Sequence, residues 1–124
     1  MTFSKQEKAI IEQVRSLRDS PLFDAIKQAF TSGEQQVFEL EGRKIFVEPE
    51  APFAGLTWME QNAFHLGTEA FETDKELLKT LLHELYRLEH RTVHQARGIS
   101  QSSATRETIL AFEFAERALK ALQE

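Results

Sequence analysis

The stretch from Thr73 to Leu88 constrains the fold more than any other part of the chain. Thr73 and Glu76 stand at capping-box spacing, which opens a helix at Asp74 that the pattern carries to about Gln95. Leu77, Leu78, Leu81, Leu82, Leu85 and Leu88 then sweep an arc of roughly 140° on that helix. A stripe that wide is expected to pack against several neighbours, so this helix should sit at the centre of the molecule. The chain has 124 residues, 41% of them apolar, which is enough to supply those neighbours within one domain, 1–124.

The surrounding elements can be read from local chemistry. Ile10, Ile11, Val14 and Leu17 follow Phe3 as an amphipathic helical stripe. Asp19-Ser20-Pro21 stops it and starts a second helix, with Ser20 as N-cap and Pro21 at the first helical position. Leu22, Phe23, Ile26, Ala29 and Phe30 form its stripe, which ends at Thr31-Ser32-Gly33. Val37 to Leu40 and Ile45 to Val47 flank a turn at Glu41-Gly42, or a slightly longer one including Arg43, as a hairpin, and the prolines at 49 and 52 close the second strand. Thr57-Trp58-Met59-Glu60 has capping spacing and predicts a helical turn, followed by a short strand at Ala63 to Leu66. Arg97 to Ser103 reads as a loop, with Ser102 or Ser103 capping a largely buried last helix that carries Ile109, Leu110, Phe112, Phe114, Ala115, Ala118, Leu119 and Leu122. The expectation is an α+β fold: two N-terminal helices, a small antiparallel sheet, a central helix and a C-terminal helix.

Composition removes several function classes. There is no cysteine, which excludes disulfides and thiolate metal sites. No apolar run reaches the roughly 20 residues of a membrane span, and the N-terminus has mixed charge and does not resemble a signal peptide. Fifteen Lys and Arg against 20 Asp and Glu give a net charge of −5, so no broad nucleic-acid-binding surface is expected. A soluble, cytoplasmic domain without membrane contact is the expectation.

The chemistry concentrates on the central helix. His83, Arg87, His90 and His94 project within an arc of roughly 60°, opposite the leucines, while Glu84 lies at the edge of the stripe, where partial burial is expected. One reading is a solvated polar face. Another starts from His83-Glu84: in a His-Glu-x-x-His zinc site the Glu is general base on metal-bound water, but here the second histidine position holds Arg87, which cannot ligate a metal. His90 lies about 10 Å further along the helix, too far to replace it. His90 and His94 have the i, i+4 spacing to share a divalent ion such as zinc if the helix continues and a third ligand arrives. Without a metal, His83, Glu84 and Arg87 combine a titratable ring, a carboxylate and an anion-stabilising fork. Glu107 stands in line with Leu110, Phe114 and Ala118, either as a site carboxylate or as a favourable charge in the first turn of its helix. His65, just before Gly67, reads as structural.

Asn62 to Phe71 followed by Leu81-Leu82-His83-Glu84-Leu85 resembles small zincin-like effector and toxin domains of bacteria. Closer still are C-terminal toxin domains of polymorphic secreted proteins of the contact-dependent-inhibition and Rhs type. Those carry a His-Glu-Leu-x-Arg-Leu helix, matched by His83 to Leu88, and a following helix with an early Glu and an Ala-Phe-x-Phe-Ala run, matched by Glu107 and Ala111 to Ala115. The resemblance spans about Gly55 to Ala118. It implies a zincin-like scaffold and an intoxicating hydrolase, delivered by a dedicated secretion system and acting on an intracellular macromolecule, with a cognate immunity protein. It places His83, Glu84 and Arg87 in the site and makes Glu107 the downstream carboxylate. Two other readings stay open: a metal-independent nuclease toxin using His83, Glu84 and Arg87, and a non-catalytic binding module whose histidine face responds to pH between about 6 and 7.

Overall fold

Local chemistry sets the first two helices as expected. α1 (Lys5–Arg18) begins with a reciprocal capping box, Ser4 accepting from the Glu7 N–H and the Glu7 carboxylate accepting from the Ser4 N–H. α2 (Pro21–Ser32) begins on Ser20 with Pro21 in its first turn and ends at Gly33 in the left-handed conformation, φ 79°. The molecule is described here from a computed structural model over residues 3–58, 62–90 and 101–123, without the side chains of Trp58 and residues 101–108.

β1 (Gln36–Leu40) and β2 (Arg43–Val47) form the expected hairpin. Its turn is the two-residue kind, with Glu41 at φ 47° and Gly42 at φ 84°, the pair of left-handed residues that matches strand twist. The next segment departs from expectation. Gly55–Trp58 is a strand, β3, and not the start of a helical turn; residues 59–61 lie outside the described residues. β4 (Ala63–Leu66) follows as expected.

The strand order is β1-β2-β4-β3, with β4 antiparallel to β3 but parallel to β2, so the sheet is mixed where an antiparallel one was expected. Burial explains the insertion. Ala63, Phe64 and Leu66 are all buried, which suits a central strand covered on both faces. β3 carries Gly55, Thr57 and an exposed Leu56, and it takes the edge.

After a 3-10 turn at Thr68–Phe71 comes α3 (Asp74–Glu89), with the Thr73 side chain accepting from the Glu76 N–H. It ends at Glu89 with His90 as C-cap, short of the expected Gln95, and residues 91–100 lie outside the described residues. α4 (Gln101–Gln123) already contains Ser102 and Ser103, so neither is its N-cap.

α3 is central, as its leucines require. Leu77, Leu81, Leu82 and Leu85 are buried among Ile10 and Val14 of α1, Ile26 of α2, Ile45 of β2, Phe64 of β4, and Phe114 and Ala118 of α4. Among the described residues, four helices and the mixed four-stranded sheet make an α+β fold.

Candidate functional site

Successive residues of an α-helix turn by about 100°, so His83 and Glu84 leave α3 toward different neighbours. Glu84 points under the edge strand. It is 1% exposed, buried more deeply than its place at the rim of the leucine stripe suggested. The Thr57 hydroxyl of β3 donates to its Oε1. Burial pushes the carboxyl above the usual carboxylate range, against the opposing pull of the Thr57 hydrogen bond and the Arg87 charge.

His83 turns instead toward α4, its ring centroid 4.3 Å from that of Phe112 at an interplanar angle of 40°. It is half-buried and does not stand on an open polar face. Burial first, then the Arg87 charge, brings its pKa down from 6.5 to about 4, with the Ala111 backbone opposing and Lys79 adding to the fall. At neutral pH the ring is therefore uncharged. A histidine switch acting between about pH 6 and 7 cannot be built on it.

Arg87 lies one turn after His83 and three residues after Glu84, half-buried, and its charge acts on both. The Nδ1 atom of His83 and the Nε atom of Arg87 are buried without a hydrogen-bond partner among the described residues. The cluster thus holds a buried carboxyl with raised proton affinity, a neutral imidazole and a guanidinium, two of them with unused donor or acceptor capacity.

The other candidate residues fall elsewhere. His90 caps α3, with its Nδ1 2.8 Å from the Tyr86 carbonyl oxygen and its ring stacked on Tyr86 at 4.0 Å. The helix on which a His90–His94 pair depended closes at Glu89, and His94 lies outside the described residues. Glu107 is on α4, but its side chain is also outside them. His65 stacks on Phe46 at 4.7 Å with Nδ1 2.9 Å from Glu48 Oε1, a strand histidine engaged with its neighbours. Glu89, at the end of α3, meets Arg43 of β2 at 2.6 Å.

The fit to a zinc ion fails on donor chemistry. Arg87 takes the second histidine position and stays protonated, Glu84 is engaged by Thr57, and no three His, Asp or Glu side chains converge as a metal site among the described residues. Two residues that shape the cluster escaped sequence reasoning, Gly55 and Thr57. They share one face of β3, and the signal that would have found them is the Gly-x-Thr alternation, which puts two small residues against a helix once the segment is taken as a strand.

Comparison with protein-family models, with curated proteins and with solved structures found no match, so the site is interpreted from its own geometry. Among the described residues no helix is long and apolar enough to cross a membrane.

Proposed function

We propose that this chain is a small effector- or toxin-type hydrolase acting on an intracellular macromolecule, with His83, Glu84 and Arg87 as its working group. One observation carries the reading: a buried carboxyl of raised proton affinity shares a single helical turn with two buried nitrogens that lack partners among the described residues. Structures seldom leave such atoms unsatisfied in a purely packing role, and perturbed titratable groups gather where chemistry is done. Glu84 is the group suited to take a proton from an attacking water and return it to a leaving group. Arg87 offers a fork to the anion that develops. His83, uncharged at neutral pH, serves as a hydrogen-bonding ring and not as a cation. His83 and Arg87 are half-buried, which gives the cluster its opening to solvent. Chemistry of this kind does not require a metal at the place Arg87 occupies. The same reading implies delivery into a target cell and a cognate immunity protein.

A non-catalytic binding module is the second reading. It is favoured by Ile109, Leu110 and Phe112 of α4, which are exposed at 52%, 41% and 52%, with Phe112 against the His83 ring.

The two separate in one experiment: growth of a bacterial culture under tightly controlled cytoplasmic expression, comparing wild type with Glu84→Gln and His83→Ala. Arrest by the wild type, relieved in variants that fold and accumulate equally, supports the hydrolase; RNA, DNA and protein cleavage assays with and without chelator then identify the substrate class. Normal growth with abundant folded wild-type protein favours the binding module.

A further inference from the structure

A carboxyl as deep as Glu84 needs a donor if it is to exist as an anion at all. The backbone of its own helix offers none, since N–H groups in the middle of α3 serve the helical ladder. Arg87 acts on it through its charge, without a hydrogen bond among the described residues. The donor comes from the sheet, as the Thr57 hydroxyl on β3. β3 approaches that closely because Gly55, on the same face two residues earlier, has no side chain. A Cβ there would stand 3.1 Å from Glu84 Cγ and Cδ and 3.0 Å from Thr80 Cγ2. Edge strand and helix are fitted to each other at this one carboxyl.

Among the described residues the charges around it are few. Arg87 on its own helix acts on Glu84 directly. β3 presents the uncharged Gly55 and Thr57, β4 contributes Phe64 to the core, and α1 contributes Ile10 and Val14. On α4, Glu116 is tied to Lys79 at 2.5 Å, and Lys79 acts at the His83 end of the row.

We propose that Thr57 is the positioning residue for Glu84, its hydroxyl anchoring Oε1 and favouring the carboxylate form, so that the carboxyl is oriented for proton transfer. The proposal rests on the reading of Glu84 as the proton-transfer group, and its test is chosen to stand apart from that reading.

Carboxyl-carbon NMR titration of the full chain follows Glu84 in the wild type, Thr57→Val and Thr57→Ser, in parallel with growth arrest. The Val variant keeps the shape and removes the donor, and its Glu84 midpoint is expected to rise by about one pH unit or more, with arrest relieved. The Ser variant is expected to titrate and arrest growth as the wild type does. Equal midpoints in all three would overturn the proposal. Should Thr57→Val not fold, Thr57→Ala takes its place; failure of both to fold, with Thr57→Ser intact, would overturn it in favour of a purely structural hydroxyl. A shifted midpoint in a chain whose wild type arrests nothing would sustain the Thr57–Glu84 coupling and overturn the hydrolase reading instead.

Discussion

Lowering the pH from 7 toward 4 acts on His83 and Glu84 in opposite senses, because burial disfavours the charged form of each. The His83 ring titrates near 4 in the folded chain against 6.5 when exposed, so the unfolded chain binds more protons between those values. Stability contributed by the neutral ring is present above pH 6.5 and is lost as the pH falls toward 4, on the order of 1–3 kcal/mol. Glu84 titrates above its ordinary 4.5 when folded, so the folded chain binds the extra proton, and stability grows as the pH falls through that raised value. The two offset each other in the wild type. Urea midpoints at pH 7 and pH 5 are expected to fall less on acidification in His83→Gln than in the wild type, and more in Glu84→Gln. Identical acid responses in all three proteins would mean that burial shifts the titration of neither group.

At the scale of elements, the closest fits are made by glycines, and they differ in what stands in the way. A Cβ on Gly55 meets side chains at 3.0–3.1 Å, which can give by a few tenths of an ångström. A Cβ on Gly67 would lie 2.2 Å from the Phe53 carbonyl oxygen and 2.8 Å from that of Ala51, and backbone cannot rotate away. Gly55→Ala should therefore cost about 1–2 kcal/mol and Gly67→Ala roughly 3 kcal/mol or more, measured by chemical denaturation. A Gly67→Ala cost no larger than that of Gly55→Ala would contradict the packing. The same contrast explains which elements were legible. Ser20-Pro21, Glu41-Gly42 and Thr73 act within a few residues of themselves, and each marks its boundary correctly. The capping spacing of Thr57 and Glu60 misled because Thr57 answers to a helix 27 residues away. The parallel pairing of β2 with β4 was hidden for a similar reason, since it depends on which strand is covered on both faces.

For the molecule as a whole, the leucine stripe announced a central helix, and the helical projection put His83, Glu84 and Arg87 within one turn of it. Projection gives directions, however, and not neighbours. That α4 would stand over His83 and β3 over Glu84 is a property of the assembled fold, and it turns an expected open polar row into a covered cluster. The consequence reaches the question of metals. His83 and Arg87 have the i, i+4 spacing of a zinc pair, but guanidinium cannot ligate, and His90 has one ring nitrogen within hydrogen-bond distance of the Tyr86 carbonyl. A tightly bound ion present at about 100 times its dissociation constant would stabilise the fold by roughly 2.7 kcal/mol, about 10 °C in Tm for a chain of this size. Dialysis against a chelator, followed by readdition of zinc, is expected to leave Tm and any growth-arresting activity unchanged. A fall of several degrees on chelation, restored by zinc, would require a ligand set built with His94 or Glu107, and would move the chemistry from the Glu84–Arg87 pair to that ion.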